Sequence, residues 1–498
     1  MHTNATSAAP ARKAGLMYWA QRVIEECENA SHDFAADPVH DLRVAIRRCR
    51  SMADGFLSVD PDPGWKQMKR MAKPLFASLG DLRDVQVMME WVDKLSSVED
   101  PARPILLLEL QVRETQLKVA AQQQLGKFDR KEWLSLNTLL SARAEQIPLG
   151  GTVFQLLALE RWNDARELHR RALRNRSGVA YHQLRIGIKR LRYTVENFLP
   201  ALHEQWSKDL RDLQDALGEV HDFDVLWAML RSHGEVAPAV RSDWHTTLLT
   251  ERDQRLGLYR ERMVGRQSLW QKWRAALPTD EQLQRAGLEK FRAWAAFLDP
   301  NFDRATQIAS VAMHLYEGLS EQKVIAADRR QRCILEAAAL TQEVGSSKHE
   351  KGRRKRSYKL LHSLAPPPGW SPQDMRAVAI VGRYHRGALA PASHAMFAGI
   401  AARSRMHLLR LAGVLRLANA LAAAAQSSDL PLRLACSDGI LTITAPDVDT
   451  GIGSAGERMA RAKYLLEASC GVAIRLEKIP QPSQREKAGV RNSSPSAS

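Results

Sequence analysis

The sequence predicts a mainly α-helical protein: a duplicated four-helix-bundle domain, a second helical domain, and a small ββαβ ending. Three observations carry this. About the first 290 residues run in helical apolar periodicity between short Pro/Gly breaks, with no strand-like alternation. One stretch, HDLRVAIRRCR (40–50), returns as HQLRIGIKRLR (182–192). Near residue 432 two short strand-like runs flank Asp438-Gly439, a hairpin signal.

In chain order, the breaks SVDPDPGW (58–65), EDPARP (99–104), QIPLGGT (146–152) and LPTDEQ (277–282) separate the helices. The repeated stretch is followed in one copy by LGDLRDVQVM (79–88) and in the other by LGEVHDFDVL (217–226), about 140 residues later. That spacing gives each copy about four helices, so the first domain is expected over 11–285, as repeats 11–145 and 150–285. From about 290 the helices become Ala-rich, interrupted by APPPGW (365–370). A second domain is expected over 295–480, closed by strands in LRLACSDGILTIT (432–444), a helix near 454–469 and a strand over 471–479. The Pro/Ser-rich end, 481–498, is predicted to be disordered.

The 498-residue chain is long enough for two or three well-buried domains. It is 45% apolar and carries a formal net charge of +16, an excess that favours polyanionic partners: nucleic acid, an anionic surface or a phosphate polymer. The five cysteines form no CxxC pair, which fits buried thiols in a reducing compartment. The N-terminal stretch lacks the apolar core of a signal peptide, and no run reads as a membrane span. A cytoplasmic location without membrane association is the expectation.

On a helix at ~100° per residue, offsets 0, 3, 7 and 10 fall within about 80° of one another. His40, Arg43, Arg47 and Arg50 therefore share a face, as do His182, Arg185, Lys189 and Arg192. Leu42, Ile46, Cys49, Ala53 and Phe56 lie opposite, matched by Leu184, Ile188, Leu191, Val195 and Phe198. No carboxylate falls within either cationic face, although like charges at i,i+3 and i,i+4 repel by a few tenths of a kcal/mol each. A row of four cations spans roughly 15 Å, which suits a row of phosphates gripped by arginine forks and a lysine point charge. Each histidine can donate a hydrogen bond or protonate. Further cationic rows follow: Lys66, Lys69, Arg70 and Lys73; Lys208 and Arg211; and Arg166, Arg170 and Arg174. Each of these also reads as a solvated helix face; together they point to a basic groove.

HxxRVxxRRxR with a later LGxxRDxxV, in two copies, resembles the conserved histidine α-helical domain, CHAD. The resemblance implies two pseudo-symmetric four-helix bundles whose basic faces line a central cavity that binds inorganic polyphosphate. The central ligands would then be His40, Arg43, Arg47, Arg50, His182, Arg185, Lys189 and Arg192. The copies depart from each other at Gln86 against Asp224 and at Arg83 against His221.

The stretch LTQEVGSSKHEKGRRKRSYKLLHSL with GRYHRG and HLLRLAGVLRLANAL (340–421) resembles the C-terminal helical domain of exopolyphosphatase and guanosine pentaphosphate phosphatase, an HD-like fold with a small α+β segment. A metal-binding HD site needs converging imidazoles and carboxylates. The matching positions here hold Gln342, Glu343, Arg304 and Asn419, so the resemblance implies a degenerate site. The remaining histidines, His349, His385 and His394, have no ligand-like spacing. No metal and no cofactor are expected. Where that family carries a histidine-rich stretch this chain has Arg353, Arg354, Lys355, Arg356 and Ser357, a second candidate anion patch that Arg383, His385 and Arg386 could join.

That family's actin-like catalytic domain has no counterpart over 1–290, where neither a Gly-rich phosphate loop nor strand–helix alternation is legible. The expectation is a non-enzymatic polyphosphate binder, cytoplasmic and associated with polyphosphate granules. The second domain would extend the site, dimerise or dock a partner. Nucleic-acid binding by the same basic surface is the alternative, although no aromatics interleave the cations for base stacking. A hydrolase using His40 or His182 on polyphosphate or a phosphorylated nucleotide is a third reading, without a legible metal cluster or activating base.

Overall fold

The computed structural model describes residues 15–346, 352–387, 395–424, 431–445 and 454–478. The 481–498 tail, His349 and His394 lie outside the described residues. The chain divides into two compact units, residues 1–279 and 280–498.

Unit 1 is built of two copies of one helix sequence. The first is α1 (Leu16–Ala30), α2 (Ala36–Phe56), α3 (Pro63–Leu95), α4 (Ala102–Lys127) and α5 (Arg130–Ala144). The second is α6 (Thr152–Asn175), α7 (Gly178–Phe198), α8 (Pro200–Ser232), α9 (Pro238–Met263) and α10 (Leu269–Ala275). Corresponding helices match in length: 21 residues for α2 and α7, 33 for α3 and α8, 26 for α4 and α9. In each copy a fifth segment, α5 or α10, completes the four long helices. The helix starts follow local chemistry. Asp62 accepts from the Gly64 amide at 2.7 Å ahead of Pro63 at the first position of α3. Pro200 opens α8, where a missing N–H costs nothing. Ser177 accepts from the Ala180 amide to start α7.

The copies meet through corresponding residues. Phe56 ends α2 and Phe198 ends α7, and the two rings meet edge-on at 5.2 Å while Phe198 stacks on Phe154 at 4.2 Å. Beside them Arg48 donates to Asn197 Oδ1 at 2.9 Å and pairs with Glu196, and Asn197 donates to Ser51 Oγ at 2.7 Å. A second apolar contact joins Val85, Met88 and Trp91 of α3 to Phe223, Leu226 and Leu230 of α8.

Unit 2 packs α11 (Asp280–Leu298), α12 (Phe302–Glu321), α13 (Arg329–Thr341), α14 (Arg353–Ser363), α15 (Pro372–Arg383) and α16 (Ala402–Ala424) around one core. It begins earlier than the expected 295, because Phe291, Trp294 and Ala295 of α11 are buried in this core. β1 (Arg433–Ser437) pairs antiparallel with β2 (Ile440–Ala445). Asp438 and Gly439 both take positive φ, 51° and 73°, as a two-residue turn of this hand requires. α17 (Ser454–Cys470) crosses over to β3 (Ala473–Lys478), which lies parallel to β2 with Leu441 opposite Ile474. The expected ββαβ ending is present. One sequence expectation needs correcting: α16 is long and apolar enough to cross a membrane, yet 56% of its most apolar window is buried within the protein, and it packs on α12 and α17. It is placed as a core helix.

A Cβ on Gly55 would sit 2.3 Å from the Phe198 ring, which is itself 1% exposed. That ring cannot yield, because Phe154 and Phe56 hold it. Gly55→Ala is expected to lower the stability of unit 1 by about 1–3 kcal/mol, read as a lower urea midpoint. An unchanged midpoint would mean the copies are not locked at this contact.

Candidate functional site

The two bundles place their repeated helices so that the cationic faces of α2 and α7 adjoin. Arg43 reaches across to α3 and donates to the carbonyls of Leu79 and Gly80 at 3.1 and 2.8 Å. A Cβ at position 80 would stand 3.8 Å from the guanidinium, in ordinary contact with it. Gly218 of α8 holds the corresponding place beside Arg185, where a Cβ would stand 3.8 Å from Nε. The Leu-Gly pair of each motif thus adjoins that copy's central arginine, and in the first copy its carbonyls hold it.

Arg47 lies over the ring of Tyr193 from the other copy at 5.2 Å. Lys189, its counterpart on α7, is half-buried. Loss of water pushes the Lys189 ammonium down to about 7, helped by Arg185 of its own copy and by Arg47 and Arg43 of the other. This single group therefore feels cations from both copies. The rings of His182 and His221 meet with centres 4.5 Å apart and planes tilted by 48°. Burial, then Arg185, holds His221 down to about 4, and the same causes lower His182. In the first copy the matching pair is exposed His40 and Arg83; burial of its ring atoms and the Arg83 charge lower the His40 imidazole. At neutral pH these imidazoles are uncharged hydrogen-bonding groups. Arg185 Nε and His182 Nδ1 are buried without a hydrogen-bond partner among the described residues.

The structure adds what the helix faces did not contain. Asp84, from the LGDLRD motif, stands 3.7 Å from Arg43. Its counterpart Asp222 accepts from the Trp91 indole at 3.4 Å. Burial raises the Asp222 carboxyl to about 6, against the pull of Arg185 and of that indole. The centre holds more cations than carboxylates, but the expectation of wholly uncompensated charge is corrected by these two groups from neighbouring helices.

The ends of the rows diverge from the centre. Arg50 lies over Phe76 at 5.1 Å and donates to the Lys69 carbonyl at 3.1 Å, while Arg192 stands 3.8 Å from Glu196. Lys69 pairs with Asp54; Lys66, Arg70 and Lys73 are exposed along α3. Lys208 pairs with Asp212 at 2.8 Å, and Arg211 is exposed. On α6, Arg166 covers Trp270 at 5.6 Å, and Arg170 and Arg174 lie 3.6 and 3.9 Å from Glu167. Arg170 and Arg174 thus share a counter-ion on a solvated face of α6, while Arg166 is half-buried.

In unit 2, Arg304, Gln342, Glu343 and Asn419 do converge, lining one cavity of about 330 Å3. Among the described residues no three His, Cys, Asp or Glu side chains group as metal ligands would. The second basic patch is not one surface. His385 is 1% exposed, its Nδ1 against the Gly382 carbonyl and its Nε2 3.5 Å from Glu343. Arg356 donates to the Gly345 carbonyl at 2.9 Å, Lys355 is exposed, and Arg383 covers Tyr384 at 5.7 Å. The side chains of Arg353 and Arg354 lie outside the described residues. His385 leaves the patch because the chain just beyond the end of α15 turns it into the core.

Fold and site define a duplicated helical protein with a cationic centre, joined to a second helical unit. Residues 20–231 match the family model for the CHAD domain, and residues 294–441 match that for the Ppx/GppA phosphatase, domain III. The chain carries a CHAD domain followed by a domain of the second kind. Among solved structures, the crystal structure of the CHAD domain from the plant Ricinus communis is similar at 20% identity over 52% of this chain and 95% of that one, with a TM-score of 0.38. No curated protein matches. The pair of domains fits a polyphosphate-related role.

The Lys189 ammonium at about 7, against 10.5 for an ordinary lysine, gives a pH dependence of known sign. Between these values the unfolded chain binds the proton and the folded one does not, so stability rises with pH across that window. Below pH 7 the folded chain carries the full cost of the charge. Lys189→Met is expected to stabilise unit 1 at pH 6 by on the order of 1–3 kcal/mol and to flatten the rise between pH 7 and 10. Urea unfolding at several pH values reads both; a destabilised variant at pH 6 would refute the assignment of Lys189 to a cationic centre.

Proposed function

We propose that this chain binds inorganic polyphosphate at the junction of the two helical copies, through Arg43, Arg47, Arg185 and Lys189, without turning it over. The observation that carries the reading is Lys189: an ammonium held down to about 7 by burial and by arginines of both copies. A bound polyanion relieves that repulsion, because each phosphate adds a negative charge where like charges crowd. The arginine forks grip phosphate oxygens in pairs, and the lysine supplies a point charge. Arg185 and His182 offer buried donors that a phosphate oxygen satisfies. Arg50 and the exposed Lys66, Arg70 and Lys73 would continue the track along α3. The second unit then has an accessory, dimerising or docking role, and the protein works in the cytoplasm, at polyphosphate granules.

Nucleic acid shares the electrostatics, but Tyr193 already lies beneath Arg47 and Phe76 beneath Arg43 and Arg50, which takes up ring faces that base stacking would need. Calorimetry with long-chain polyphosphate at physiological salt is expected to give tight binding that weakens as salt rises. Changing Arg43, Arg47, Arg185 and Lys189 together to alanine is expected to cost at least a hundredfold. Single-stranded and duplex DNA of matched charge are expected to bind more weakly, and added Mg2+ to release no phosphate. Binding that survives the fourfold change, or DNA binding as tightly as polyphosphate, would overturn the reading; phosphate release would restore the hydrolase alternative.

A further inference from the structure

The cavity of about 330 Å3 in unit 2 is lined by charges of both signs. Asp299 comes from the connection between α11 and α12, and Arg304 from the first turn of α12. Gln342 and Glu343 follow the end of α13, Arg386 follows α15, and Asn419 lies on α16. Asp299 is 6% exposed; its Oδ1 accepts from the Asn301 amide at 2.9 Å, and it forms no ion pair among the described residues. Burial raises its carboxyl against the pull of that amide, and the neighbouring Glu343 charge adds to the rise. Arg304 is exposed and forms neither a hydrogen bond nor an ion pair among the described residues. An acid and a base thus line one small cavity without neutralising each other.

A chain of hydrogen bonds fixes the orientation of the amides in the same lining. A carbonyl can only accept, so the Asn419 atom 2.9 Å from the Leu415 carbonyl is its NH2. The Asn419 oxygen then accepts from Arg386 at 3.3 Å, and the same NH2 donates to Gln342 Oε1 at 2.9 Å. What remains is Gln342 Nε2, a donor on a residue 1% exposed, with no hydrogen-bond partner among the described residues. A bare cation would need acceptors, and it would meet this donor and two guanidinium groups. A polyanion would meet the carboxylates of Asp299 and Glu343. A ligand that carries both signs satisfies every group. The volume lies at the lower end of the roughly 300–1000 Å3 usual for small-molecule sites, which sets the ligand's size.

We propose that this cavity binds a free α-amino acid, its ammonium on Asp299 and its carboxylate on Arg304 and Gln342 Nε2. The ammonium supplies the cation that the buried carboxylate lacks, and a carboxylate oxygen satisfies the buried donor. Ala305 and Ile308, also in the lining, give the ligand's side chain an apolar wall.

Saturation-transfer NMR on the full chain, run with each of the twenty common L-amino acids and followed by titration of the strongest binder, tests this. At least one is expected to bind saturably with a Kd below about 1 mM. Its N-acetyl derivative and its C-terminal amide, each lacking one of the two charges, are each expected to bind at least tenfold more weakly. Arg304→Ala, at an exposed position outside the core, and Asp299→Asn, which keeps an acceptor for the Asn301 amide, are expected to weaken binding to the same degree. Inorganic triphosphate is expected not to displace the amino acid. No saturable binding by any of the twenty, a singly charged derivative binding as well as its parent, binding that survives Arg304→Ala, or displacement by triphosphate would each overturn the proposal. None of these outcomes depends on polyphosphate binding in unit 1.

Discussion

Two cation-bearing helices, one from each copy, are held face to face, and the structure of unit 1 is arranged around the cost of keeping them there. Unit charges 4 Å apart interact by about 4 kcal/mol at an effective dielectric near 20, so several guanidinium and ammonium groups at one junction push the copies apart. Three sets of contacts oppose this. Phe56 and Phe198 close the ends of α2 and α7. Val85, Met88 and Trp91 pack on Phe223, Leu226 and Leu230 between α3 and α8. Arg48 spends its charge on Glu196 and Asn197 across the junction. The apolar contacts follow the charged residues directly in sequence: Val85 comes after Asp84, and Phe223 after Asp222. Each charge at the centre is thus anchored by a neighbour that is buried.

The same arrangement explains the division of labour among the arginines. Arg43 is built into the fold by its hydrogen bonds to the Leu79 and Gly80 carbonyls, while Arg185 lies beside Gly218 of the facing helix. Arg48 is structural, because its partners are buried protein groups. Arg47 and Lys189 stand between, close enough to the junction to lose water and with no ion-pair partner among the described residues. A site that binds an anion at the expense of its own stability is the common outcome when charge must wait for a ligand.

Much of this was legible in the sequence, for a physical reason. A helix has one period, so a cationic face over Leu42, Ile46 and Phe56 can be read from spacing alone, and its recurrence over Leu184, Ile188 and Phe198 gives the duplication. What comes from another helix cannot be read that way. Asp84 and Asp222 close the repeated motifs LGDLRD and LGEVHD, but only the packing of α3 on α2 and α8 on α7 turns them toward the cations. The reach of Arg43 to the Leu79 and Gly80 carbonyls was hidden for the same reason. In unit 2 the four positions Arg304, Gln342, Glu343 and Asn419 were legible as a group through family resemblance and do converge. His385 was misplaced because spacing within GRYHRG does not tell which residue follows the helix into the core. The start of unit 2 was set too late, since α11 resembles its neighbours in texture and only its partners, in the second core, assign it.

The most direct test of the cationic centre is the ionisation of Lys189 itself, followed by NMR on 13C-dimethylated lysines of the full chain, with and without long-chain polyphosphate. The account predicts a midpoint near 7 in the free protein and an upward shift of at least about one unit when polyphosphate is bound, since a neighbouring anion favours the ammonium. A Lys189 that titrates like an exposed lysine in the free protein, or one whose depressed midpoint polyphosphate leaves unmoved, would contradict it.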